Sequence, residues 1–225
     1  AAYRLIRASQ PLADTLALQY LRGRKLFDLR NTAALRFHPN CYVRALTASS
    51  RRAWPALIAA VTDLGGRVTG AHRTWLNPDP ADKAPIDPPR KAMGHLLGNA
   101  VRFGAADDVL AVGEGIETVL SLRQAMPTLP LAAALSAAHL SAFLFPAGLR
   151  RLYIVVDRDR AGQRARSQLT QRAVAVGIEA IPLLPRLADF NEDLCTFDAD
   201  HVRATLVDQV RAEDMRRFTR CADRR

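Results

Sequence analysis

Apolar positions follow two rhythms along this chain. From residue 108 onward, short apolar runs alternate with segments of helical spacing. Residues 109–112, 131–135, 152–156 and 178–184 read as strands; 116–126, a short stretch ending at Phe143, 163–176 and 200–217 read as helices. Leu152-Tyr153-Ile154-Val155-Val156 is apolar at every position, as a strand buried on both faces requires. Strands alternating with helices predict an α/β fold, a Rossmann-like parallel four-stranded sheet with helices on both faces.

The first half has a different rhythm. Leu12, Leu16, Ala17 and Tyr20 predict a helix capped by Ser9 or Asp14 and ended near Gly23. Residues 34–39 read as a strand closed by Pro39, 41–46 as a further extended segment and 49–52 as a basic turn. Residues 54–63 and 67–75 form a hairpin about Leu64-Gly65-Gly66. Residues 77–90, rich in Pro and Asp, read as a mobile loop, and 100–103 as a short strand. This predicts a smaller α+β region over 1–106, ahead of the α/β unit over 107–225.

Charge narrows the partners. The net charge is +10 and the pI about 10.5, which favours a polyanion over a solvated basic surface. The cations are nearly all arginine, with lysine only at Lys25, Lys83 and Lys91, a bias that a GC-rich genome also produces. Cys41, Cys195 and Cys221 are widely spaced, so neither a disulfide framework nor a zinc site is expected, and a reducing cytoplasm is the expected compartment. The apolar stretch 129–145 is broken by Pro130, Ser136, His139 and Ser141, so no membrane span is expected. An opening alanine is expected of a piece of a longer protein.

The candidate chemistry lies at strand ends. The third α/β strand stops at Asp157-Arg158-Asp159, and buried carboxylates there call for a hard divalent cation. The first ends at Gly113-Glu114-Gly115, where the glycines allow a tight turn and close approach of a ligand. Both junctions fall on one edge of a parallel sheet, so Glu114, Asp157 and Asp159 can converge on metal ions, a set suited to phosphoryl or nucleotidyl transfer. Asp189 and Asp193 follow the fourth strand on that edge, with helix capping as the competing role. Glu117 reads as a helix-start carboxylate. Arg73, Lys83 and Lys91 are candidates for nucleotide or template phosphates. His72 and Arg73 alternate in one strand, so only one faces a given cleft. Arg158, Arg160, Arg164 and Arg166 sit at a helix start against its dipole, which suggests a phosphate partner. Trp54 and Trp75 read as hairpin core, with base stacking as the alternative for Trp75.

Val112-Gly113-Glu114-Gly115 followed by Val155-Val156-Asp157-Arg158-Asp159-Arg160-Ala161-Gly162 resembles the Toprim domain of primases, topoisomerases and some nucleases. The likeness runs from about Asp108 to Leu194. Ala188-Asp189-Phe190-Asn191-Glu192-Asp193 resembles a segment that primase-like members carry after the paired aspartates, with Ala188 where lysine is usual. Residues 20–24, 35–39 and 70–76 resemble the region before Toprim in primase-like proteins of phages, plasmids and integrated mobile elements. The resemblance implies Glu114 as general acid/base or metal ligand, Asp157 and Asp159 as Mg²⁺ or Mn²⁺ ligands, and Asp189 and Asp193 as a further ligand or as orienting a metal-bound water. It implies DNA primase activity on single-stranded DNA template with NTPs, and a replicative helicase as partner. A metal-dependent nuclease and a non-catalytic nucleic-acid-binding accessory module are the alternatives.

Overall fold

The computed structural model describes residues 1–43, 53–79 and 81–219. The turn expected at 49–52, Cys221 and part of the segment 41–46 lie outside the described residues.

The α/β unit follows the predicted alternation. Strands Val109–Gly113 (β7), Leu131–Ala133 (β8), Arg151–Val155 (β9) and Glu179–Leu183 (β10) are parallel, and Val101–Phe103 (β6) adds an antiparallel fifth strand beside β8. The sheet order is β10-β9-β7-β8-β6. Alternation splits the strands between two cores. Val109, Ala111, Tyr153 and Val155 pack against helix Ile116–Arg123 (α3) and its neighbours; Leu110, Val112, Leu152 and Ile154 pack against Arg160–Ala175 (α5). Burying each such aliphatic side chain contributes about 1.5–3 kcal/mol, so both faces need a helical cover. Helix Ala137–Ser141 (α4) lies beside α5; Phe190–Thr196 (α6) packs on α3.

The N-terminal region forms an antiparallel sheet. Strands Leu35–Tyr42 (β1), Ala53–Thr62 (β2) and Val68–Pro78 (β3) run in order, and β3 pairs along its length with both Ala81–Lys83 (β4) and Arg90–Gly94 (β5). Helix Leu16–Gly23 (α2) buries Ala17, Tyr20 and Leu21 in the core that also holds Leu57, Val61, Val155 and Phe190. This core spans both sheets, and a bridge between Thr62 and Ala100 ties β2 to the strand entering the parallel sheet.

Several expectations are corrected. Thr15 caps α2, its Oγ1 accepting from the Leu18 amide at 3.3 Å. Ser9 instead donates to the Leu5 carbonyl at the end of an unforeseen helix, Ala2–Arg7 (α1). Pro39 does not stop β1, because a register shift between His38 and Cys41 absorbs it. The Pro/Asp-rich stretch contributes β4 and the start of β5, edge strands that need only one apolar partner in β3. The last helix is two, Ala199–Val207 (α7) and Ala212–Thr219 (α8). Between them the Gln209 amide bonds both backbone groups of Leu184, and the Arg211 N–H donates to the Tyr153 hydroxyl, so helix continuity yields to docking on the sheet. Among the described residues no helix is long and apolar enough to cross a membrane.

The outer strands β1 and β10 each contain a proline, Pro39 and Pro182.

Candidate active site

Parallel pairing of β7 with β9 brings their carboxyl ends to one edge, with Val112 opposite Ile154. Glu114 follows directly on β7, and Asp157 lies two residues beyond β9. A Cβ on Gly113 would come within 2.9 Å of the Val155 Cβ, so glycine is required for the close approach of these strand ends. Gly162 does the same behind Asp157: a Cβ there would lie 2.6 Å from the Asp157 carbonyl oxygen. Helix α5 can therefore start directly behind the aspartate.

The two carboxylates are half-buried and incompletely bonded. Glu114 Oε2 and Asp157 Oδ1 are buried without a hydrogen-bond partner. Burial pushes the Asp157 carboxyl up to about 7, and the charges of Glu114, Asp189 and Asp159 push the same way against Arg90. Burial, with the charge of Asp159, also raises Glu114, opposed by Arg90 and by the Ala137 backbone N–H. That N–H opens α4 after a sharp turn in which Leu135 takes a left-handed φ of 76° and donates its N–H to the Glu114 carbonyl at 2.8 Å. A branched residue held there marks a constrained backbone.

Asp159 and Asp189 have a second employment. Asp159 is exposed and caps α5, its Oδ1 accepting from the Gly162 amide at 2.6 Å. Asp189 caps α6, its Oδ1 accepting from Asn191 at 2.7 Å and Glu192 at 2.8 Å, yet it still borders the cavity. Both add negative charge at Asp157. Asp193 is structural. It is fully buried, and its two oxygens accept the Arg186 and Leu187 amides at 2.8 and 2.7 Å.

Facing the carboxylates across a cavity of about 410 Å³ are cations from the N-terminal region, Arg24, Lys83, Arg90 and Lys91. Lys83 and Lys91 were expected there; Arg24 and Arg90 were not. On β3 it is His72 that faces the cavity, and burial pushes its imidazole down to about 4, so it is neutral at pH 7. Arg73 points away, its guanidinium 4.9 Å from the Trp75 ring centre. Trp75 is core, its indole N–H donating to the Cys41 carbonyl at 3.2 Å. Arg158 and Arg160 are exposed outside the cavity.

Glu117 does more than begin a helix. Its Oε1 accepts the Tyr20 hydroxyl at 2.6 Å, joining α2 to α3 at the cavity wall. Burial alone would raise this carboxyl, but the Tyr20 bond with Arg90 and Lys83 holds it low. His139 and Asn191 also line the cavity; Asn191 is anchored by donating to the Arg24 carbonyl and the Ser121 hydroxyl. The sequence offered His139 only as a break in an apolar run and Asn191 only within the primase-like segment; both belong to the α/β unit, and the cations opposite them arrive when the antiparallel sheet docks on the parallel one.

Among the described residues no three His, Cys, Asp or Glu side chains are grouped to cage a metal ion. The donor set nonetheless fits a Mg²⁺-type ion. Such ions take one or two carboxylates and fill the shell with water and substrate phosphates, and here two carboxylates each leave a buried oxygen unbonded.

Residues 109–200 match the family described as the Toprim domain. The chain carries a Toprim domain. Residues 1–103, ahead of the Toprim domain, match a domain of unknown function (DUF7146). No curated protein matches the sequence. Among solved structures the chain is similar to the zinc-binding and RNA polymerase domains of Aquifex aeolicus primase, at 17% identity and a TM-score of 0.60, covering 92% of this chain and 60% of that one. A DNA primase domain from Pseudomonas aeruginosa gives 17% identity and a TM-score of 0.56 over 88% of this chain and 73% of that one. The RNA polymerase domain of Mycobacterium tuberculosis primase, solved with a double-stranded DNA oligomer bearing a 6-nucleotide overhang, gives 15% and 0.52 over 95% and 78%. The Toprim domain and the region before it thus share the fold of bacterial primases.

Proposed function

We propose that this chain is the catalytic part of a DNA primase-like nucleotidyltransferase, which joins NTPs on a single-stranded DNA template with Mg²⁺ or Mn²⁺. The observation that carries the reading is the pair Glu114 and Asp157, each with a buried oxygen left unbonded on the carboxyl edge of the sheet and facing a wall of cations. Asp157, bordered by Asp159 and Asp189, would hold the metal, with Glu114 beside it left free to take a proton. Once bound, the metal supplies charge neutralisation on the triphosphate and acidifies the attacking hydroxyl.

The chain's own groups divide the remaining work. Glu114 takes the proton of the primer 3′-hydroxyl as that oxygen attacks the α-phosphate, and pyrophosphate leaves. Its raised affinity for a proton suits it to that task. Arg24, Lys83, Arg90 and Lys91 bind the triphosphate, and Glu117 offsets part of their mutual repulsion. Arg158 and Arg160, outside the cavity, meet the phosphates of the nucleic acid; Arg73, turned onto Trp75, is the weakest candidate for such contact. The setting is primer synthesis during replication of a phage or mobile element, beside a replicative helicase. The fold shared with bacterial primases supports the reading.

Labelled NTPs, single-stranded DNA and Mn²⁺ test it. NTP-dependent products absent from the Asp157→Asn protein are expected. Shortened DNA that forms without NTPs would reassign the site to a nuclease. Nucleic-acid binding without turnover, and with no Mn²⁺ binding in either protein, would leave an accessory module.

A further inference from the structure

Helix α5 begins three residues after Asp157 and carries four arginines and no carboxylate over its 16 residues. Gly162, Ala165, Leu169 and Ala173 form its buried side. The opposite side, Arg160, Gln163, Arg164, Ser167, Gln168 and Gln171, is exposed and borders one shallow depression of about 630 Å³. No carboxylate of the described residues pairs with Arg158, Arg160 or Arg164. Arg172 is excluded from this surface, because it donates to the carbonyls of Ser141 and Phe143 and so fastens α5 to α4. The exposed stripe spends nothing on internal ion pairs. Its cations stand in the first turns, against the helix dipole, where Asp159 caps the helix end.

We propose that this stripe holds the phosphate backbone of a nucleic-acid duplex beside the catalytic edge, an inference that rests on the function proposed above. Arginine and glutamine side chains are phosphate-contacting donors. The stripe contains no aromatic residue on which an unpaired base could stack, which a single-strand track requires. A duplex keeps its bases paired and presents phosphates alone, which matches what the stripe offers. From Arg160 to Gln171 the helix rises about 17 Å, about half a helical turn of B-form duplex measured along its axis. The Ser167 hydroxyl is turned back to the Gln163 carbonyl, leaving a low point between longer donors into which a backbone ridge fits. Template strand enters the cavity single-stranded; paired template and product lie over α5.

The test is fluorescence anisotropy with a blunt duplex and with single-stranded DNA. The chain is compared with Arg164→Glu/Gln168→Glu and with a control matched in net charge, Arg4→Glu/Arg7→Gln on α1. Glutamate is a good helix former, so the stripe variant keeps α5, and an unchanged Tm verifies this. Duplex affinity of the stripe variant is expected to fall about tenfold or more, with single-strand affinity and the control within about twofold. Its log K against log salt should flatten by about one for the lost Arg164 contact. Equal duplex affinity in stripe variant and control overturns the proposal. An equal loss for single strand and duplex also overturns it, since the stripe would then track an unpaired strand. If the chain binds duplex through α5 but incorporates no NTP, the catalytic reading falls and the duplex surface stands.

Discussion

Strand β9 has a buried carboxylate near each of its ends, and the two are treated in opposite ways. At the amino end Asp214, 3% exposed, accepts from the Arg151 guanidinium at 2.6 Å and the Tyr153 hydroxyl at 2.7 Å. Arg151 is held in turn by Glu179 at 2.6 Å and Glu213 at 2.9 Å. At the carboxyl end Asp157 has an orphan oxygen and the charges of Glu114, Asp189 and Asp159 around it. One carboxylate docks α8 on the sheet and is finished. The other is left in repulsion, which a bound cation would relieve. A buried charge with its bonds filled is architecture; one with its bonds open is a candidate for a site.

The largest effect should follow from removing the open pair. Glu114→Gln should lower NTP incorporation by about 10²–10⁴, and Asp157→Asn by no less, read as initial rates with labelled nucleotide. Incorporation within tenfold of the parent in either variant would erase the functional half of the contrast. Next in size is Asp214→Asn, which breaks a buried charge pair and should cost about 3 kcal/mol. Urea melts measure it, and calorimetry should show Mn²⁺ binding unchanged; lost Mn²⁺ binding in a folded protein would mean that the two ends are coupled.

Glu117 is the intermediate case, with one oxygen bonded by Tyr20. Tyr20→Phe should cost about 1.5 kcal/mol, the worth of a hydrogen bond to a charged group, visible as a lower urea midpoint at constant slope. The smallest effect has the opposite sign. The Asp157 carboxyl titrates at about 7 in the fold against 3.8 for the free group, so ionising it favours the unfolded chain. Relative to Asp157→Asn, the metal-free protein should lose stability as pH rises from about 4 to about 7. In EDTA at pH 8 the asparagine variant should therefore be more stable by about 1 kcal/mol, allowing for solvent around a half-buried group, and the gain should shrink at pH 5. A destabilised variant at pH 8 would show that Asp157 is already satisfied.

What the sequence made legible was local. Glu114 and Asp157 stand out because an apolar run ends abruptly in acid, and periodicity places both run ends on one edge. The two half-legible acids, Asp159 and Asp189, serve as helix caps while their charge still reaches the site, a double use that spacing cannot separate. Arg24, His72 and Arg90 were illegible because they reach the cavity through the docking of one sheet on another, which leaves no period in the chain. The same limit hid β4 and β5, whose polar residues pair only with β3, and the break between α7 and α8, made by Gln209 and Arg211 bonding to a distant strand.

The two edge prolines bear on how neighbouring copies of the chain can meet. In β10 the Glu179 amide bonds inward to Arg150, so by alternation the position of Pro182 faces outward. In β1 the Phe37 amide faces outward to Gln10, which places Pro39 outward as well. At both rims the rung that an incoming strand would grip has no hydrogen to offer. A neighbouring copy's strand pairing along β1 or β10 would therefore lose a hydrogen bond at the proline.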